Sequence, residues 1–249
     1  DGRGSFYEEV GAIRDVVQHH LLQVVAHLAM EPPVGEGAEA MRDEKVKVFR
    51  GIRPLDAGSV VLGQYVDYLE EEGVAPGSQV ETFAAVRLHL DSWRWAGVPI
   101  LARVGKRLAV TATEVRVHLK RPPQQVFGEA VPPQSNYFRF RLGPDGVAIA
   151  IGARTKRPGT VMAGEDIELF VCNERRSEMG AYERLIGDAI RGDRTLFARE
   201  DGVEAAWRIV DPVLTARIPI HPYPTGSWGP VEADAMAARH GGWQSPKRG

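Results

Sequence analysis

Residues 5–23 read Ser5-Phe-Tyr-Glu-Glu-Val-Gly-Ala-Ile-Arg-Asp-Val-Val-Gln-His-His-Leu-Leu-Gln23, a run in which apolar side chains recur at helical spacing. The same spacing continues to Leu28, and Pro32-Pro33 then prevents the helix from continuing. So wide an apolar stripe is typical of a helix that is half buried in a larger fold. The sequence therefore predicts one long N-terminal helix from Ser5 to about Glu31.

Polar and charged side chains are concentrated in the middle of this helix. They are Arg14, Asp15, Gln18, His19 and His20. A half-buried helix must satisfy such groups with hydrogen bonds or with a ligand. In one interpretation Arg14, Gln18 and His19 lie on the solvated face, and His20 is a partly buried histidine with its own hydrogen-bond partner.

In the other interpretation this part of the helix lines a site for a polar substrate. His20 would accept a proton there, because the ordinary pKa of histidine, about 6.5, leaves the ring neutral at pH 7. Asp15 would accept a hydrogen bond from the substrate. Residues 15 and 20 of an α-helix lie roughly 140° apart around the axis, so the two side chains would both serve only a site that wraps around the helix.

A change of hydrophobic period indicates strands after Thr82. Apolar and polar residues alternate strictly at 84–90, 115–120, 138–142 and 167–171, which is typical of antiparallel strands with one covered face. A turn at 143–146 predicts a hairpin over 136–154. Helical patterns occur at 43–52, 181–191 and 202–216. The predicted fold is α+β: a long helix and a large, mainly antiparallel sheet with helices packed on one face.

Composition excludes several classes of protein. The 249 residues are 43% hydrophobic and 26% charged with a net charge near −2, so we expect no nucleic-acid partner. No apolar run approaches the roughly 20 residues that a membrane helix requires, so we expect no membrane partner. Cys172 is the single cysteine, which excludes an internal disulfide and favours a cytoplasmic location.

Two kinds of site are also excluded. No Gly-x-Gly-x-x-Gly motif follows a strand, so we expect no dinucleotide site of the Rossmann type and no Rossmann domain in this chain. No histidines and cysteines have the spacing of metal ligands, and adjacent residues such as His19 and His20 are expected to project apart on a helix. We therefore expect no metal site.

Short blocks of sequence over almost the whole chain carry a family resemblance. They lie at 2–23, 43–48, 62–65, 82–85, 95–99, 105–106, 113–115, 181–185, 206–209 and 226–230. In this order they resemble the C-terminal domain, which binds substrate and mediates dimerisation, of the bacterial type of glucose-6-phosphate dehydrogenase. The resemblance implies a single domain over residues 1–249.

The resemblance also implies a reaction and its residues. The family oxidises glucose 6-phosphate to 6-phosphogluconolactone with NADP, at the entry to the pentose phosphate pathway. His20 would remove the proton of the anomeric hydroxyl, and Asp15 and Lys106 would contact the substrate. An N-terminal Rossmann domain, absent from this chain, would bind NADP, so we expect the chain alone to be inactive. His19 departs from the usual Gln-Asn-His pattern.

Lys106 has two interpretations from the residues alone. It is either an ordinary surface lysine at the end of a strand or a charged donor to a phosphate or hydroxyl group. The resemblance favours the donor. Thr111 and Gly143 replace a basic residue and a glutamine that the family uses near the substrate. These losses motivate an alternative function, a catalytically degenerate relative that binds sugar phosphates or serves as an oligomerisation module.

Basic side chains mark one face of the predicted sheet, which is either solvated or a subunit interface. They are Arg87, His89, Arg116, His118, Lys120, Arg139 and Arg141. The resemblance implies a homodimer or tetramer through this sheet face. Arg103, Arg116 and Arg141 also match positions that hold a structural NADP in some eukaryotic relatives. Ala112 and Trp228 replace basic residues of that site, so we expect no structural NADP.

Overall fold

The computed structural model describes residues 4–121, 123–124, 135–143, 147–160, 162–173 and 180–246. The helices are α1 Gly4–Ala12, a π-helix Ile13–Leu21, α2 Leu22–Ala29, α3 Ala38–Gly51, α4 Ala181–Arg191, α5 Glu200–Leu214 and α6 Asp234–Ala238. Short 3₁₀ turns lie at Ala57–Ser59, Tyr68–Glu70 and Val231–Ala233. The strands are β1 Val60–Tyr65, β2 Phe83–Leu88, β3 Ile100–Gly105, β4 Thr113–His118, β5 Tyr137–Gly143, β6 Val147–Lys156, β7 Gly164–Asn173 and β8 Ile220–Tyr223.

The predicted α+β class is confirmed, with two sheets where the sequence pattern indicated one. The first sheet has the order β3-β2-β1-β8, and the second has the order β4-β5-β6-β7. All pairings are antiparallel except that of β1 with β8, which is parallel. Strand β8 lies far from β1 in the sequence, so no local sequence pattern predicts their parallel pairing. The predicted hairpin is β5 and β6, although residues 144–146 of its turn lie outside the described residues.

Each sheet belongs to a different compact unit. The first unit contains residues 1–109 and 181–243, and the second contains residues 110–180 and 244–249. The basic residues that the sequence placed on one sheet face are therefore divided, because Arg87 lies in β2 of the first sheet and Arg116 in β4 of the second. The prediction of a single basic face is wrong.

The core of the first unit fills both sides of the first sheet. Helical residues such as Val17, Phe49 and Ile209 pack on the face that carries Val86, and all four side chains are at most 1% exposed. A second cluster around Tyr7, Tyr65, Tyr68, Phe83 and Tyr223 covers the opposite face. This two-sided burial gives β2 an almost continuous buried pattern instead of alternation.

The N-terminal helix is predicted correctly in extent but is not a regular α-helix. Gly11 has φ 64° and ψ −179°, which breaks the helix one turn before the polar cluster. Residues 13–21 then form a π-helix, and a regular helix resumes at Leu22. The hydrophobic spacing did not predict this change of helix type.

No helix within the described ranges is both long enough and apolar enough to cross a membrane.

Candidate active site

The π-helix places Asp15 and His20 on the same face. Hydrogen bonds in a π-helix join residues five apart, and at its end the Leu22 N–H donates to the Val17 carbonyl. Side chains five residues apart therefore lie closer together around the axis than in an α-helix, and the Asp15 carboxylate interacts electrostatically with His20. The expectation that a site must wrap around the helix to use both residues is wrong, because it assumed α-helical geometry.

His20 is exposed, not partly buried as one interpretation expected, and its pKa is lowered. Burial and the neighbouring His19 lower the pKa of His20, the Asp15 carboxylate opposes that shift, and the Lys106 ammonium adds to it. A lowered pKa keeps the imidazole neutral at pH 7, and a neutral imidazole accepts a proton. His19 does not project away from it as expected, since the two rings meet edge to face with centroids 4.7 Å apart.

Other members of the polar cluster differ in exposure. Arg14 and His19 are exposed, as the solvated interpretation expected, whereas Gln18 is only 6% exposed. The prediction that Gln18 lies on the solvated face is wrong. Gln18 is instead one of the buried residues of the π-helix, with Ile13 and Val17.

Lys106 immediately follows β3 and is held by its backbone. Its N–H donates to the Thr82 carbonyl at 3.0 Å, and the Tyr223 hydroxyl donates to the Lys106 carbonyl at 2.8 Å. The preceding Gly105 leaves room for the Phe83 ring, because a Cβ there would lie 2.8 Å from Phe83 Cδ2. These contacts fix the main chain of Lys106. The side chain is 41% exposed, so its ammonium group is accessible to a ligand.

Lys106 and Asp15 approach each other across the site. Lys106 Nζ lies 3.8 Å from Asp15 Oδ2 and 4.6 Å from the centroid of the Tyr7 ring. Both groups also act electrostatically on His20, so the structure brings together all three predicted site residues, His20, Asp15 and Lys106. The arrangement joins a neutral base, a carboxylate and an ammonium, which together are able to take a proton from a hydroxyl and to bind a polar, anionic molecule.

Sequence reasoning missed two residues beside this group. Tyr7 is 4% exposed, and its hydroxyl has no hydrogen-bond partner among the described residues. Burial raises the pKa of Tyr7, and the carboxylates of Asp15 and Glu81 add to the shift. Glu81 accepts a hydrogen bond from the Ile13 N–H at 3.0 Å. Neither residue belongs to a motif or to the polar cluster of the helix, so no local signal in the sequence distinguished them.

Arg103 is engaged by aromatic rings of the same unit. Its guanidinium carbon lies 4.8 Å from the centroid of the Trp228 ring and 5.0 Å from that of Trp243, and Nη1 donates to the Trp228 carbonyl at 3.3 Å. Burial lowers the pKa of Arg103. A guanidinium held in this way is occupied by contacts within the chain.

No three His, Cys, Asp or Glu side chains in the described part of the chain form a group able to hold a metal ion.

The second sheet has one polar and one apolar face. On the polar face, Glu114 lies 3.3 Å from both Arg116 and Arg139, and Arg139 also pairs with Glu168. The charges on this face are thus largely balanced within the sheet. On the apolar face, Val171 is 74% exposed beside its register partner Ile149.

Comparison with known proteins agrees with this fold. The sequence model of the family described as "Glucose-6-phosphate dehydrogenase, C-terminal domain" matches residues 1–244. The chain belongs to this family. The resemblance that the sequence blocks predicted is confirmed.

Individual members of the glucose-6-phosphate dehydrogenase family are similar over the whole chain. Glucose-6-phosphate 1-dehydrogenase 1 of Mycobacterium tuberculosis is 46% identical in an alignment of 250 positions that covers 99% of this chain and 53% of the relative. The chain thus spans about half the length of the curated relatives that it matches.

Solved structures of the family share the fold. The crystal structure of glucose-6-phosphate 1-dehydrogenase from Mycobacterium avium has a TM-score of 0.91 at 44% identity, covering 99% of this chain and 53% of that one. A glucose-6-phosphate dehydrogenase in complex with its substrate glucose-6-phosphate has a TM-score of 0.83 at 34% identity, covering 99% of this chain and 54% of that one.

Proposed function

We propose that residues 1–249 are the substrate-binding domain of an NADP-dependent glucose-6-phosphate dehydrogenase, which oxidises glucose 6-phosphate to 6-phosphogluconolactone. One observation carries the proposal: the π-helix and the end of β3 bring the base His20, the carboxylate of Asp15 and the ammonium of Lys106 to one place. Membership of the family supports it. The match of residues 1–244 to one family also supports a single functional domain.

His20 is the general base in this proposal. Its neutral imidazole accepts the proton of the anomeric hydroxyl while the C1–H bond gives up a hydride and the C1–O bond becomes a carbonyl. The lowered pKa of His20 favours the neutral form that this step needs. General-base catalysis of this kind contributes about 10²–10⁴-fold in rate.

Lys106 and Asp15 bind and orient the sugar phosphate. The Lys106 ammonium is a compact donor for a phosphate oxygen or a hydroxyl group, and Asp15 accepts hydrogen bonds from sugar hydroxyls. Their side chains are 41% and 23% exposed, so both are accessible to a substrate. Holding the anomeric carbon beside His20 supplies part of the rate by orientation.

NADP supplies the hydride acceptor, and we propose that residues outside this chain bind it. The chain has no Gly-x-Gly-x-x-Gly motif after a strand. A second, structural NADP does not fit the described residues well, because Trp228 and Trp243 stack on Arg103. Ala112 and Trp228 also replace basic residues at the matching positions. We expect the chain alone to bind substrate without turning it over.

We further propose that the protein is a cytoplasmic homodimer or tetramer that associates through the second sheet. Support comes from the exposed apolar face around Ile149, Leu169 and Val171, whose side chains are 50%, 63% and 74% exposed. A group of exposed apolar side chains on one sheet face is typical of an interface between subunits. The single cysteine, Cys172, favours a reducing compartment.

The test compares the full-length gene product with its His20→Asn variant, following nicotinamide reduction with glucose 6-phosphate. We expect a loss of about 10²–10⁴-fold in kcat. His27→Asn is the matched control, because His27 lies on the same helix with its Nδ1 2.8 Å from the Gln23 carbonyl oxygen. Its activity should equal that of the unsubstituted protein.

Two results would contradict this function. Full activity in His20→Asn would place the base elsewhere. An unsubstituted protein that neither reduces NADP nor gives a calorimetric signal with glucose 6-phosphate would instead support a degenerate relative acting as an oligomerisation module.

A further inference from the structure

The start of the π-helix is capped by a residue far away in sequence. Beyond the break at Gly11, the first N–H groups of the new helical segment have no partner within the helix. The Ala12 N–H donates to the Glu81 carbonyl, and the Ile13 N–H donates to Glu81 Oε1, both at 3.0 Å. Glu81 thus performs for this segment the task of an N-cap residue, although it comes from the approach to β2.

The next residue, Thr82, forms hydrogen bonds that position Lys106. Its carbonyl accepts the Lys106 N–H at 3.0 Å, and its hydroxyl lies 3.1 Å from that of Tyr223, which in turn donates to the Lys106 carbonyl. Two consecutive residues therefore bind the two parts of the site. Glu81 contacts the beginning of the segment that carries Asp15 and His20, and Thr82 contacts the main chain of Lys106. The distance between the helix and Lys106 depends on this dipeptide.

The break at Gly11 is matched to Glu81. The φ of 64° lies in the left-handed region, which favours glycine. A Cβ at Gly11 would lie 2.5 Å from Glu81 Oε1, so the carboxylate occupies the space that a side chain would need. This close approach fixes the carboxylate against the first turn of the new segment.

Glu81 is only partly exposed, and the proposed chemistry does not use it. Burial raises the pKa of Glu81, while the hydrogen bond from the Ile13 N–H and the charge of Arg14 act in the opposite direction. Desolvating a carboxylate is costly unless it is hydrogen-bonded. The hydrogen bond to the start of the helix therefore offsets the cost of partly desolvating this carboxylate.

We propose that Glu81 is a positioning residue, which caps the segment 12–21 and so sets the placement of His20 and Asp15 relative to Lys106. The inference rests on the proposed function of this site. Glu81 acts through the helix and does not contact the substrate. A displaced base misaligns the reacting atoms, and a shift of 1 Å costs about 10²-fold in rate.

The experiment measures kcat, KM and amide hydrogen exchange at Ile13 for variants of the full-length gene product. Glu81→Ala should lower kcat about 10- to 100-fold, leave KM for NADP unchanged and accelerate exchange at Ile13. Glu81→Gln keeps an acceptor oxygen and should restore most of kcat and of the protection. Glu81→Asp withdraws the carboxylate by one methylene and should resemble Glu81→Ala, which provides a second variant if Glu81→Ala does not fold.

Glu44→Ala is the matched control, because Glu44 is a buried glutamate of the first unit that bonds to Lys47 on α3 and not to the start of the π-helix. It should lower thermal stability without changing kcat. A Glu81→Ala or Glu81→Asp protein with unchanged kcat and unchanged exchange would overturn the inference, as would a Gln variant no better than Ala. An inactive unsubstituted protein with a protected Ile13 amide would overturn the proposed function and leave the cap intact.

Discussion

The ring of His19 meets the ring of His20 edge to face, with 4.7 Å between their centroids. His19 is one of the groups that lower the pKa of His20. A base is active only when it is neutral, so the rate falls as the pH drops through its pKa. Removing His19 should raise the pKa of His20. We therefore predict that His19→Asn moves the acidic limb of the kcat/KM profile to higher pH.

The measurement is the pH dependence of kcat/KM for glucose 6-phosphate in the full-length gene product. His27→Asn serves as the control, since it removes a histidine from the same helix without touching His20. An acidic limb that stays in place or moves to lower pH in His19→Asn would show that His19 does not act on the base electrostatically.

Replacing Lys106 should weaken substrate binding more than it weakens the fold. A hydrogen bond to a charged group contributes about 1.5–3 kcal/mol, so Lys106→Met should weaken binding of glucose 6-phosphate about 10- to 100-fold. The ion pair with Asp15 is partly exposed and contributes only about 0–1 kcal/mol to stability. Calorimetric titration and thermal unfolding of the same variant separate the two effects.

Lys47→Met is the control for this comparison, because Lys47 is an exposed lysine that bonds to Glu44 on α3. Its affinity for glucose 6-phosphate should be unchanged. Equal affinity in Lys106→Met and the unsubstituted chain would remove Lys106 from the binding site.

Tyr7→Phe should stabilise the protein. The Tyr7 hydroxyl is buried and has no hydrogen-bond partner among the described residues, and an unsatisfied buried group costs about 1–3 kcal/mol. The phenylalanine ring keeps the contact with Lys106, so substrate affinity should not change. We predict an increase of about 1 kcal/mol in the free energy of unfolding, measured by urea denaturation.

Tyr68→Phe, in the same aromatic cluster, should have the opposite effect on stability. The Tyr68 hydroxyl donates to Glu8 Oε1 at 2.9 Å, and its loss should lower the free energy of unfolding by about 1–3 kcal/mol. If Tyr7→Phe destabilises the protein to the same extent, the Tyr7 hydroxyl has a partner in solution.

A lysine at Val171 should prevent self-association. Val171 lies on the exposed apolar face of the second sheet beside Ile149, and burying an unpaired ammonium in a subunit interface is costly. Sedimentation equilibrium should show monomeric Val171→Lys under conditions in which the unsubstituted protein is a dimer or tetramer. Phe170→Lys, on the opposite face of β7, should associate normally; dissociation by both variants equally would implicate β7 as a whole.

Much of the fold follows from local patterns in the sequence. The helix ending near Pro32, the helix at 181–191 and the hairpin of β5 and β6 all appear where spacing and turn residues predicted them. These elements depend on neighbours within a few residues, which periodicity records. The parallel pairing of β1 with β8 was not predictable in this way, because its two strands are more than 150 residues apart.

The candidate site also has features that the sequence predicts and features that it does not. The residue types that can act as base, acceptor and donor, namely His20, Asp15 and Lys106, are evident from the sequence and its resemblance. Their common placement depends on a π-helix, which the hydrophobic spacing did not predict, because that spacing is the same as the spacing expected for an α-helix.

By itself, the sequence determined the α+β class, the family and the chemical groups of the site, because each depends on residue type and local order. Only the tertiary structure decided that Asp15 and His20 share one face, that the basic residues fall on two sheets and that Glu81 caps the helix from 68 residues away. Those features arise from contacts between distant segments, whose geometry is settled only when the chain packs.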